Sequence, residues 1–109
     1  MQLNDYQRES RSTARYPDAG RNLIYPTLGL TGEAGEVADK VKKLIRDRGG
    51  VIDDHFTADI ALELGDVLWY IAQLATELGL DLDAVAEGNL RKLGSRAQRG
   101  TLQGEGDHR

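Results

Sequence analysis

From Ile60 to Leu78 apolar side chains recur every three or four residues, a spacing that fits one face of an α-helix and no β-strand. On a wheel advancing about 100° per residue and zeroed on Ile60, residues Leu64, Val67, Leu68, Ile71, Leu74, Ala75 and Leu78 fall between roughly −40° and +80°. This is a core-facing stripe. The stretch from Leu30 to Ile45, zeroed on Leu30, places Val37, Val41, Leu44 and Ile45 in the equivalent stripe. No run of strand length alternates with period two, so the chain reads as all-α: an antiparallel helical bundle of about four helices, completed by oligomerisation.

Local signals set the element bounds. Asn4 can cap a first helix from Asp5 to Ala14. Pro26 suits the first turn of a second helix running to Asp47, and "RDRGG" supplies a glycine for its left-handed end. A third helix is predicted from Phe56 to Leu78, with Gly79 as its stop. Asp81 or Asp83 caps a fourth helix reaching Arg96, and residues 97–109 read as an irregular, glycine-rich tail. One domain over residues 1–109 is expected, with its helical core over about 4–96. At 109 residues it stands at the small end, where a second subunit often supplies buried surface.

Composition removes several function classes. With 18 acidic against 14 basic residues the formal charge is −4, which disfavours a stable nucleic-acid partner. No cysteine is present, so a metal site here would use oxygen or imidazole ligands. No apolar run approaches the ~18 residues that span a bilayer, and "MQLNDYQRES" lacks the order of a signal peptide. The expected protein is soluble and cytoplasmic, with no membrane partner.

The second and third helices each carry the same short pattern, "EAGEV" and "ELGDV". Glycine inside a helix costs about 1 kcal/mol relative to alanine, so its repetition beside paired acids asks for a reason. Glu33 and Glu36 fall at about −60° and −120° on their wheel, and Glu63 and Asp66 fall at the same angles on theirs. Antiparallel packing would let these edges face each other and gather four carboxylates. Two like charges at ~4 Å repel by about 4 kcal/mol at an effective dielectric of 20, so such a cluster protonates, spreads into water or binds a cation. All-oxygen coordination favours Mg²⁺, then Mn²⁺, and Mg²⁺ commonly takes its remaining ligands from substrate phosphates.

Spacing alone fits a solvated acidic face equally well. Lys40 and Lys43 follow Glu36 and Asp39 by four residues, so ion pairs within the second helix account for part of the pattern. Glu63 and Asp66 have no basic neighbour on their own helix. Gly35 and Gly65 lie near +140°, where Leu62, Trp69, Ala72 and Thr76 give the third helix a second apolar face. That face is expected to meet another helix layer, of this chain or of a second subunit, with glycine permitting close approach and Trp69 as a core or interface aromatic.

The segments "LGLTGEAGEVADKVKK" and "ELGDVLWYIAQLATELG" resemble the signature halves of the MazG-like nucleoside triphosphate pyrophosphohydrolases, whose pattern is E-x-x-E, a spacer, then E-x-x-D. "NLRKLGSR" matches the family's Asn, Lys and Arg positions at Asn89, Lys92 and Arg96. The tail "RGTLQGEGDHR" resembles the ending of small, often phage-encoded members. The resemblance implies hydrolysis of (deoxy)nucleoside triphosphates to monophosphate and pyrophosphate, in control or cleansing of the nucleotide pool; small members use dissimilar substrates, so the base stays open, with a purine such as dGTP or GTP as the expectation for a phage-like member. It also implies that Glu33, Glu36, Glu63 and Asp66 are catalytic and hold Mg²⁺, with Mn²⁺ able to substitute, in a homodimer or homotetramer working in the host cytoplasm if phage-encoded. Asn89, Lys92 and Arg96 would then bind the substrate. So would Tyr6 and Gln7, which resemble a recurrent Tyr-Gln pair able to stack on or read a base. Arg99, Asp107 and Arg109 are weaker candidates for nucleotide contact.

Some relatives place an extra acid directly after the first motif glutamate. Ala34 stands there, which leaves the general base unassigned. His55 and His108 are isolated and read as ordinary polar residues. A carboxylate-bridged di-iron bundle normally uses Glu-x-x-His, but Glu36 and Asp66 occupy those i+3 places. A non-catalytic helical interaction module is the remaining alternative.

Overall fold

The computed structural model describes every residue from Met1 to Arg109. Four α-helices follow one another without a strand: α1 Leu3–Ser10, α2 Ile24–Arg48, α3 Asp54–Glu77 and α4 Leu82–Gln98, with a 3₁₀ turn at Arg11–Thr13. Pro26 lies in the first turn of α2, where its missing N–H removes no helical bond. Gly49 ends that helix in the left-handed region (φ 62°), and the Gly50 N–H returns to the Leu44 carbonyl at 3.1 Å. Asp53 caps α3 by accepting from the Phe56 N–H at 2.8 Å, and Asp81 caps α4. Asn4 does cap a helix, but a different one from that predicted: its side-chain oxygen accepts from the Asp83 N–H at 2.9 Å, at the start of α4. α1 begins earlier instead, with the Asp5 carboxylate accepting from the Gln2 N–H.

The fold is organised on the α2–α3 hairpin. Leu44 and Phe56 share a cavity wall near the turn, Lys40 pairs with Glu63, and Gly29 meets Tyr70 at the far end, so the two helices run antiparallel. Gly29 is where close approach is built: a Cβ there would stand 2.2 Å from the Tyr70 ring. Nothing lies within 4 Å of the equivalent point at Gly35 or Gly65, so the close approach expected at those two glycines is not made inside one chain. α1 crosses α3 near the C-terminal end of α3 and also packs on α4. Ala72, Ala75 and Leu82 form the buried cluster at that crossing, with Tyr6 packed against it.

Polar residues complete the junction. Gln73 has no exposed surface; it donates to Ser10 Oγ at 2.8 Å and accepts from Arg11 at 3.1 Å. Trp69 packs edge-on against Tyr16 and Tyr70 and donates its indole N–H to Thr13 Oγ1 at 2.9 Å.

The stripe read as the core of α3 is only partly covered. Leu64 is 55% exposed, Ile71 36% and Leu78 52%, while Ala75 is buried. The face that meets α2 is centred instead near −80° on the wheel, where Tyr70 stands between Glu63 and Asp66. The acids therefore border the helix–helix contact, while Leu64, Ile71 and Leu78 of the apolar stripe beside them stay exposed.

Candidate metal centre

Glu33 from α2 and Glu63 and Asp66 from α3 converge at the middle of the hairpin. One carboxylate oxygen from each lies within 4.8 Å of the other two, with Glu33 and Glu63 half-buried and Asp66 exposed. Burial first, then the charges of Asp66, Glu63 and Glu36, holds the Glu33 carboxyl above its ordinary value. Like charge adds to burial in that shift, a divalent cation would offset the repulsion, and an oxygen-only donor set suits Mg²⁺ or Mn²⁺. The residues present therefore fit a hard divalent ion.

Glu36 is the fourth predicted acid and stands outside this trio. It lies exposed one turn along α2, close enough for its charge to act on Glu33 and Lys40. Lys40 reaches across the hairpin to Glu63, 3.1 Å from Oε1, rather than settling on Glu36 within its own helix. Glu63 first, with Asp59 and Glu36 adding their charge, holds the Lys40 ammonium above its ordinary value against partial desolvation. Lys43 does pair with Asp39 at 2.8 Å, as the four-residue spacing predicts. Toward the hairpin turn a cavity of about 300 Å³ opens, with Glu36, Lys40 and Asp59 on its near wall and Lys43, Arg48 and His55 beyond.

Aromatic rings close the other end. Tyr70 stands one turn after Asp66, and burial first, then Tyr25, Glu33 and Asp66, raises its hydroxyl above its ordinary value. Tyr6 is raised by burial and by Asp66, which places its ring within reach of the acid cluster's field. Gln7 is committed elsewhere. Its amide donates to Thr76 Oγ1 (3.1 Å) and the Leu80 carbonyl (2.8 Å) and accepts from the Leu82 N–H (2.9 Å), stapling α1 to the α3–α4 junction.

The basic edge of α4 is turned to the chain's own tail. Asn89 is exposed and Lys92 lies 3.4 Å from Asp107. Arg96 is 4% exposed, donates to the Gly106 carbonyl at 3.2 Å and stands 3.7 Å from Asp107. Arg109 closes the tail on itself by donating to the Thr101, Leu102 and Gly106 carbonyls. Within one chain α4 packs chiefly on α1, so these three side chains are not gathered at the carboxylates.

From the sequence Lys40 is read only as an intrahelical partner of Glu36, and Tyr70 is not singled out, although a signal is available. On the wheels that place the acids, both fall at about −80°, on the acid edge of their helices.

An antiparallel helical hairpin that brings three carboxylates to one point places the chain among all-helical proteins with an acidic cluster between two rods. Residues 25–101 match the MazG nucleotide pyrophosphohydrolase domain. The chain is also 50% identical over 114 aligned residues to the Gene 37 protein of Mycobacterium phage L5, with the whole of both chains covered. It belongs to the MazG nucleotide pyrophosphohydrolase family. No solved structure matches it significantly.

Proposed function

We propose that this chain, acting as one domain, hydrolyses (deoxy)nucleoside triphosphates to monophosphate and pyrophosphate with Mg²⁺, or Mn²⁺ in its place. The observation that carries this reading is the meeting of Glu33, Glu63 and Asp66 across the hairpin. These three would hold the ion, with Glu36 completing the acid edge. When bound, the ion supplies positive charge to phosphate oxygens and acidifies water for attack.

The chain's own residues do the rest. The hairpin fixes the separation of the acids, because Gly29 lets Tyr70 lock the two helices at one end. Tyr6 and Tyr70 flank the cluster with aromatic surface on which a base can stack, and Gln7 holds α1 in place beneath Tyr6. Asn89, Lys92 and Arg96 are assigned to the triphosphate of a neighbouring subunit in a homodimer or homotetramer, and a purine such as dGTP or GTP is the favoured base. No helix is long and apolar enough to cross a membrane, and the phage relative supports work in the host cytoplasm.

Incubation with Mg²⁺ and a panel of canonical and modified triphosphates tests the bond cleaved. Monophosphate and pyrophosphate are expected; diphosphate nucleoside with orthophosphate would overturn the reading. Glu63→Gln and Asp66→Asn should retain the helical circular dichroism and lose at least about a hundredfold in kcat/KM. Near-normal turnover in either would remove the assigned role.

A further inference from the structure

The acid cluster carries a cation of its own. Lys40 rises one turn after Glu36, with 30% of its side chain exposed, and sets its ammonium 3.1 Å from a Glu63 carboxylate that is itself only 15% exposed. Asp59 and Glu36 are the other carboxylates in its field, and Glu33 and Asp66 lie beyond Glu63. A helical lysine four residues after a glutamate ordinarily finds its partner on the same helix. Here it crosses to the neighbouring helix and takes hold of one of the converging acids.

We propose that Lys40 is the resident counter-cation of the carboxylate cluster, tying α2 to α3 through Glu63 when no divalent ion is bound and releasing Glu63 when one binds. The inference rests on the metal assignment made above. A positive charge in this position acts oppositely on the two states. In the ion-free protein it offsets the mutual repulsion of the acids and holds the hairpin closed. Toward an arriving ion it is a like charge that already occupies one ligand. Lys40 is thus a positioning residue that stabilises the ion-free fold and weakens ion binding, so the site stays assembled where divalent ions are scarce.

The test compares the unaltered full chain with Lys40→Met, which keeps the stem without the charge, and Lys40→Arg, which keeps the charge. Thermal denaturation is followed in EDTA and in saturating Mn²⁺, and Mn²⁺ affinity is read from the paramagnetic resonance of the free ion. Lys40→Met should melt about 5 °C lower in EDTA, bind Mn²⁺ roughly tenfold more tightly and gain more from saturating Mn²⁺ than the unaltered chain does. Lys40→Arg should stay near the unaltered protein on both measures. Equal or weaker Mn²⁺ binding by Lys40→Met overturns the proposal, because a lysine that only orients Glu63 would weaken binding when removed. If Lys40→Met is unfolded in EDTA, recovery of its helical signal on adding Mn²⁺ supports the counter-cation role, and failure to recover counts against it. Absence of Mn²⁺ binding by the unaltered chain sinks the metal assignment as well. Normal binding there, with unchanged affinity in Lys40→Met, removes the role of Lys40 alone.

Discussion

The Glu77 side chain, at 1% exposure, accepts from the Arg11 guanidinium, the Tyr16 hydroxyl and the backbone N–H groups of Gly20 and Asn22. One carboxylate thereby fixes the whole connector between α1 and α2, including the left-handed Asp18 and Gly20. Burial by itself would raise its pKa; the Tyr16, Asn22, Gly20 and Arg11 donors outweigh burial and hold it at about 2, against an ordinary 4.5. Because the folded value is depressed, the stabilisation is fully present above pH 4.5 and is lost as pH falls from there toward 2. Acid denaturation of the unaltered chain should therefore steepen across that window, and Glu77→Gln should flatten it. At neutral pH the same substitution removes the negative charge that Arg11 faces and puts an amide where four donors converge, and it should cost on the order of 3 kcal/mol, read from urea unfolding. A loss below about 0.5 kcal/mol, the scale of an exposed pair, would show that the connector does not depend on this carboxylate.

Among the elements, α1 contributes few apolar groups and is held largely by hydrogen bonds, Gln7 making three of them, one to Thr76 of α3 and two to the approach and start of α4. Gln7→Ala should lower stability by about 2 kcal/mol while leaving the kcat/KM ratio between purine and pyrimidine triphosphates unchanged. A changed ratio would mean that the amide leaves its staple and reads the base. The hairpin elements were legible because two sequence periods agreed: α2 and α3 begin and end within about two residues of the predicted bounds. The angles of the acids were also correct. The expected covering of the apolar stripe was not, because a wheel ranks faces by apolarity without knowing which neighbour exists. Leu64, Ile71 and Leu78 make the more apolar stripe of α3, yet α2 packs on the narrower strip of Glu63, Asp66 and Tyr70. The Gln73–Ser10–Arg11–Glu77 network was not legible, since Gln73 and Glu77 on α3 meet Ser10 and Arg11 from more than 60 residues away through polar contacts that hydrophobic periodicity does not report.

At the scale of the molecule, one chain leaves more surface uncovered than its mass allows for a finished fold. A folded monomer of 12.0 kDa exposes about 6,000 Å² by the usual mass scaling, whereas this chain exposes 7657 Å². Its radius of gyration is 16.8 Å, against about 13 Å for a compact domain of this length. The surplus area, roughly 1,700 Å², is of the size that each partner buries in an obligate interface. Apolar residues supply much of it: Leu28 is 68% exposed, Leu62 69% and Leu90 70%, in addition to Leu64, Ile71 and Leu78 on α3. Burying such a surface against a second copy would also account for Gly35 and Gly65, whose open flanks wait for a neighbouring backbone. Sedimentation velocity should therefore find a dimer or tetramer at micromolar concentration. Leu64→Lys with Ile71→Lys should shift the distribution toward monomer and, because the hairpin then keeps its apolar face in water, lower the melting temperature at the same time. A stable 12.0 kDa monomer from the unaltered chain, with full helical content, would contradict the proposed oligomer and leave Asn89, Lys92 and Arg96 without the neighbouring active site assigned to them.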